Sequence, residues 1–240
     1  WPNLYFEAIE NFELYEEKHN EDKFFGLNTV EGNLAMISYT LGDYEESLQY
    51  YEKILSRRQL IDKPSDIIKS YTQFINLYLL QDNTGDALSY LDLSKSVFEK
   101  ESLEPSFSSD SEIQLNYSRA ISTYADYLKN KQRFSASLTM FMQAKTLAKS
   151  FINEIPGLNV SIAECHIGLK NFTLAKSILE NNIRSIFNRH PEQFIKGDSR
   201  IRNFQLLADT YQNLGEFDQL LSIKDSIIHY SKQSQIDPYK

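Results

Sequence analysis

The residues best suited to chemistry are few and dispersed. His19, His166, His190 and His229 fall in separate stretches of a 240-residue chain, and the one cysteine, Cys165, stands beside His166. A nucleophile and its base need facing side chains within hydrogen-bond reach. Adjacent residues on a helix point about 100° apart. Cys165-His166 is therefore not read as a dyad, and His166 is read as a core histidine. No His-x-x-x-His, Cys-x-x-Cys or Asp-x-Asp-x-Asp-Gly spacing occurs, so no metal site is expected. Glu16-Glu17 and Glu45-Glu46 are read as solvated helix faces, not as acid–base pairs. Neither an enzyme nor a cofactor is expected.

The elements that must carry these residues are helical. Apolar positions recur at three and four residues, never in β-branched alternation. Pro2, Pro64, Pro105, Pro156, Pro191 and Pro238 all stand where a helix can start or stop. About eleven helices follow from typical helix and loop lengths. With 41% hydrophobic residues and 15 each of Tyr and Phe, the chain can bury a sizeable core. A net charge of −8 without any basic block argues against nucleic acid as a partner. No apolar run approaches the roughly 20 residues of a membrane span. A chain starting at Trp1 is read as a processed product or a fragment of a longer protein, one domain over residues 1–240.

The helices fall into a repeated pattern. "LGDYEES" (Leu41–Ser47), "LKNFTLA" (Leu169–Ala175) and "LGEFDQL" (Leu214–Leu220) are similar breaks, with "QDNTGDA" (Gln81–Ala87) and "NKQRFSAS" (Asn130–Ser137) as weaker versions. Anchored on Ser47, Ala87, Ser137, Ala175 and Leu220, they recur at steps of 40, 50, 38 and 45 residues. The helix before each break carries an inward stripe at i, i+3, i+4, i+7. Tyr71, Phe74, Ile75 and Tyr78 form one; Ile121, Tyr124, Ala125 and Leu128 another; Phe204, Leu207, Ala208 and Tyr211 a third. Asn159, Ile162, Ala163 and His166 are more polar, and Glu31, Leu34, Ala35 and Ser38 are small. The third member is Ala in four of the five, which permits close approach of the facing helix. Ile75 departs from this and predicts a looser second hairpin.

These residues resemble the tetratricopeptide repeat. The match is best at Leu34, Ala35, Leu41, Gly42, Asp43, Tyr44, Tyr51 and Ile54, then at Leu207, Ala208, Tyr211, Leu214, Gly215, Phe217 and Ile227. The resemblance implies an all-α fold, an α-solenoid (right-handed superhelix) of five helical hairpins. One leading helix, Asn3–His19, lacks its partner. The family period is about 34 residues, so the steps here imply longer helices or connections. "LLSIKDSIIHYSKQ" (Leu220–Gln233), through Lys224, Asp225, Ser226 and Ile227, looks like the closing repeat of sensor regions in Bacteroidota signalling proteins. That would make the chain the sensing part of a larger regulator, periplasmic if membrane-anchored. The alternative is a self-contained cytoplasmic assembly scaffold.

What remains is recognition of a protein or peptide. In stacked hairpins the first helix of each unit lines the concave surface. That face is expected to carry Lys69, Thr72 and Asn76; then Arg119, Ser122, Asp126 and Lys129; then Val160, Glu164 and Ile167; and finally Arg202, Gln205, Asp209 and Gln212. Lys, Arg and Asn donate several directed hydrogen bonds and could clamp a peptide carboxylate or backbone. The residues expected to bind a partner are Lys69, Asn76, Arg119, Ser122, Asp126, Lys129, Arg202, Gln205 and Asp209. The terminal repeats are a candidate route to a homo-oligomer. Two inserts, Glu99–Glu112 and Phe187–Arg200, are read as connectors, the second with Phe194 and Ile195 packing back on the array.

Overall fold

A computed structural model describes residues 22–104, 107, 112–148, 157–189 and 198–236. Among these residues there are ten helices and no strand. They are α1 (Asp22–Leu41), α2 (Tyr44–Ile61), α3 (Pro64–Leu80), α4 (Thr84–Ser102) and α5 (Glu112–Asn130), followed by α6 (Phe134–Leu147), α7 (Leu158–Gly168), α8 (Phe172–Arg189), α9 (Asp198–Leu214) and α10 (Phe217–Ile236). They pair in order as five hairpins. The expected leading helix Asn3–His19, the Pro238 helix boundary and the Phe194 and Ile195 contacts lie outside the described residues. No described helix is long and apolar enough to cross a membrane.

One turn is used five times. Gly42, Asp82, Gln132, Lys170 and Gly215 all have left-handed backbone, with φ of 84°, 53°, 59°, 61° and 72°. In each case that residue and the next donate their amides back into the preceding helix. Gly42 N bonds Tyr39 O at 3.1 Å and Asp43 N bonds Ser38 O at 2.9 Å, and the other four turns repeat both bonds. This is the Schellman closure of a helix C-terminus. The residue after the left-handed one also starts the next helix: the carbonyls of Asp43, Asn83, Arg133, Asn171 and Glu216 accept the amides of Ser47, Ala87, Ser137, Ala175 and Leu220. Asp43 and Asn83 add side-chain caps, through Oδ1, to the amides of Glu46 and Asp86. Chain reversal therefore takes a fixed number of residues.

That fixed reversal sets a twelve-residue register across each hairpin. Ala35 pairs with Ser47, and the serine hydroxyl donates to the Ala35 carbonyl at 2.8 Å. Ser137 does the same to Ala125 at 2.7 Å. The second hairpin matches Ile75 with Ala87, both fully buried, so the large residue on α3 faces a small one on α4. This corrects the expectation of a looser second hairpin. Its packing includes Tyr90 stacked on Phe74, with ring centroids 4.6 Å apart and planes 8° apart. In the fifth hairpin Ala208 and Leu220 share one core. The expected stripes are buried on every first helix except at Tyr78, Asn159 and His166, which are half-buried.

The chain divides into two compact units, residues 1–124 and 125–240, the boundary falling inside α5. In the first, Leu34, Ala35, Tyr50, Tyr51, Ile54, Phe74 and Leu77 form the core of α1, α2 and α3. Asn116 on α5 donates to the Ser65 carbonyl on α3 at 2.9 Å. Helix α4 runs through Ser102, further than the connector expected from Glu99 onward; beyond it Phe107 meets Phe98 edge-on at 6.0 Å. Residues 105–106 and 108–111 of that insert lie outside the described set. In the second unit Ala163, Leu179, Leu207, Ala208, Tyr211 and Leu220 form the core of α7 to α10. The Phe134 ring lies over Gly168, where an added Cβ would come within 2.5 Å of ring carbons.

Two substitutions test this description. A left-handed conformation costs a side-chain-bearing residue about 1 kcal/mol or more relative to glycine. Gln132→Gly should therefore raise stability in denaturant unfolding by about 0.5–1 kcal/mol, and Gly42→Ala should lower it by about 1 kcal/mol. Shifts of the same sign would contradict the common turn. Gly168→Ala should cost about 1–3 kcal/mol by overpacking against Phe134, and Phe134→Leu in the same chain should recover part of that loss. A neutral Gly168→Ala would remove the close approach.

Candidate functional site

In the first unit the expected face is partly open. Lys69 and Asn76 are exposed on α3, seven residues apart, on the side away from buried Phe74 and Ile75. Thr72, between them, turns its hydroxyl onto the Ile68 carbonyl at 2.9 Å. Arg119 on α5 is exposed and donates to Asn116 Oδ1 at 3.3 Å. Ser122 differs from expectation: it is buried at 7% exposure, because it flanks Ile121 on the packed side of α5, and its hydroxyl has no hydrogen-bond partner among the described residues. Ser122 is therefore not on an open surface.

In the second unit the expected residues converge. Lys129 Nζ donates to Asp126 Oδ1 at 2.7 Å and to Ser161 Oγ at 3.0 Å, and it pairs with Glu164 Oε2 at 2.7 Å. Ser161 Oγ in turn donates to Asp126 Oδ1 at 3.1 Å. An ammonium has three protons, and all three are taken. Arg202 on α9 donates through Nε to Glu164 Oε1 at 2.8 Å and pairs with the same oxygen through Nη2. Three helices, α5, α7 and α9, thus meet through one carboxylate. The Lys129 and Glu164 side chains are 12% and 11% exposed, against 62% for Arg202.

Burial alone would lower the Lys129 pKa, but hydrogen bonds to Asp126 and Glu164 outweigh it and hold the ammonium above its ordinary value. The Phe141 ring lies 5.8 Å from Nζ, on the α6 side. The sequence pattern offers Lys129 as a donor to a ligand; with all three protons engaged, it instead ties α5 to α7. Gln205 and Asp209 remain exposed along α9, three and seven residues beyond Arg202. Val160 is buried, and the half-buried Ile167 packs against the hydrophobic core. Ser161 is not among the expected residues, although its place three residues before Glu164 puts both on one face of α7.

Cys165 and His166 are not a pair. Cys165 is fully buried, its thiol contacts Ser137 Oγ at 3.3 Å, and burial raises its pKa. His166 is half-buried, with Nδ1 lacking a hydrogen-bond partner among the described residues and its pKa lowered by burial. Among the described residues no group of three His, Cys, Asp or Glu side chains could hold a metal ion. The first unit contains a second enclosed charge pair, Arg57 with Glu31, and Arg57 also donates to Asn28 Oδ1 at 2.9 Å. It joins α2 to α1 within a hairpin.

Removing the Lys129 charge tests the network. Lys129→Met leaves the half-exposed Asp126 without its cation and Glu164 with Arg202 alone, and should cost about 1–3 kcal/mol at neutral pH. A lysine pKa raised by folding contributes stability in full below its unfolded value, and that stability is lost as pH rises through the folded value. The gap between the two proteins in denaturant unfolding should therefore stay constant from about pH 7 to about pH 9.5 and close above about pH 10.5. A gap that already closes by about pH 8 would contradict the assignment.

Residues 32–59, from mid-α1 to late α2, match the sequence profile of the tetratricopeptide repeat family. No curated protein matches the chain significantly by sequence. By structure it is similar to BtubC (BKLC) from P. vanneervenii, with a TM-score of 0.78 at 15% identity over 99% of this chain and 91% of that one. It is also similar to a putative kinesin light chain from Podosopora anserina with nearly identical TPR-like repeats: TM-score 0.58, 14% identity, 85% and 95% covered. A third likeness is to a Rap protein complexed with competence and sporulation factor: TM-score 0.60, 13% identity, 95% of this chain and 59% of that one. The chain is an all-α array of TPR-like helical hairpins that includes a tetratricopeptide repeat at residues 32–59.

Proposed function

We propose that the chain is a non-enzymatic recognition module that takes a peptide or protein segment on the exposed faces of the first helices of its hairpins. The observation that carries this reading is the two-sidedness of α3 and α9. Phe74 and Ile75, and Phe204, Leu207 and Ala208, are buried. Lys69 and Asn76, and Arg202, Gln205 and Asp209, are exposed on the same helices. Side chains with fixed helical spacing and directed hydrogen-bond donors suit an extended polar backbone. The structurally similar Rap protein, solved in complex with competence and sporulation factor, supports a binding role for this fold. The buried thiol of Cys165, engaged with Ser137, speaks against a nucleophile there.

A finer reading makes the module the sensor or scaffold part of a larger bacterial signalling protein, supported by the resemblance of Lys224–Ile227 to closing sensor repeats. The net charge of −8 favours protein over nucleic acid as partner. Peptides selected from a random phage-displayed library against the full chain test the main reading. Peptides should enrich, and their binding should fall about tenfold or more, each such step being about 1.4 kcal/mol, with Lys69→Glu/Asn76→Ala or with Gln205→Ala/Asp209→Ala. Failure to enrich, or binding indifferent to both double variants while helicity is retained, would remove the proposed face.

A further inference from the structure

Glu164 sits where a bound acid would sit. Its Oε2 takes the Lys129 ammonium at 2.7 Å, and its Oε1 takes the Arg202 Nε at 2.8 Å together with Nη2. The two cations arrive from different helices, α5 and α9, and neither is a sequence neighbour of Glu164. A carboxylate shared between an ammonium and a guanidinium is the arrangement by which proteins hold acidic ligands. Here α7 supplies that carboxylate from within. The site is also balanced: Lys129 and Arg202 are matched by Glu164 and Asp126. The next polar charge along α9, Asp209, is exposed and anionic.

We infer that Glu164 is an internal carboxylate seated in an anion site made by Lys129 and Arg202, and that it sets the selectivity of this face against acidic partners and towards neutral or basic ones. The selectivity rests on reading this face as a contact surface; the filled anion site does not. With Glu164 present, an incoming carboxylate meets a cation pair already neutralised by Glu164 and Asp126, with one further anion, Asp209, along α9, so nothing attracts it and like-charge repulsion opposes it. With the charge at 164 removed, Lys129 keeps Asp126, Arg202 loses its counter-ion, and the cluster carries one net positive charge. The guanidinium is then free to take a ligand oxygen in place of Oε1.

The probes are fluorescein-labelled tetra-aspartate and tetra-lysine peptides, read by fluorescence anisotropy on the full chain at about 50 mM salt, where charge interactions are only moderately screened. Glu164→Gln should bind tetra-aspartate about tenfold more tightly than the parent chain, and should bind tetra-lysine more weakly. Glu164→Gln/Arg202→Ala should return tetra-aspartate to the parent level. Glu164→Met, which keeps the volume without the charge, carries the same expectation should the Gln variant lose helicity. Equal affinity of parent and charge-free variants for tetra-aspartate would overturn the inference, leaving Glu164 a tie between helices. So would a gain that survives Arg202→Ala. The result is separable from the phage selection: peptides depending on Lys69 or Gln205 can exist with or without an anion site at Glu164.

Discussion

A single backbone device, the left-handed residue seven positions after the small or stripe residue of each first helix, governs the rest of the structure. Because both amides after the helix fold back on its last carbonyls, the chain reverses in the same number of residues at every hairpin. The helices can then meet in only one register. Once residue i faces residue i+12, at least one of the two is small in every hairpin. Ala35 with Ser47, Ile75 with Ala87 and Ala208 with Leu220 are three solutions to one spatial condition.

The connections between hairpins carry no such condition, and the uneven steps of 38 to 50 residues arise there and in helix length. Helix α7 has 11 residues whereas α1 and α10 have 20. Loop closure entropy rises slowly with length, so such inserts are tolerated while the turn inside a hairpin is not free to grow. Contacts between hairpins are made by stripe residues, such as Phe74 against Tyr51, and also by residues outside the repeat's defining positions, such as Asn116 on Ser65 and Arg202 on Glu164.

Much of the fold is legible because helix burial is written at three- and four-residue spacing. The stripes that include Leu34, Phe74, Ile121, Ile162 and Leu207 each lie on a packed helix side. The turn is half legible: Gly42 and Gly215 announce a left-handed residue, but Asp82, Gln132 and Lys170 hold the same conformation without that signal. The candidate site is less legible. Sequence spacing says which residues share a helix face but not which face meets another helix, so it puts Ser122 on an open surface that the side chain does not reach. It also says nothing of pairing between helices. Lys129, Glu164 and Arg202 are 35 and 38 residues apart in the chain, and their joint neutralisation appears only once α5, α7 and α9 are side by side.

The Phe134 ring over Gly168 has a consequence for anyone wishing to treat these hairpins as interchangeable parts. Its lead aromatic belongs to the third hairpin and its missing side chain to the fourth, so the fit is a property of that ordered pair alone. Thr84 holds the lead position in the second hairpin and Tyr44 in the first. Reordering that separates the third hairpin from the fourth would part the ring from its glycine. The adjacency of the third and fourth hairpins is thus marked by local shape, and a consensus array built by averaging the units would erase that mark.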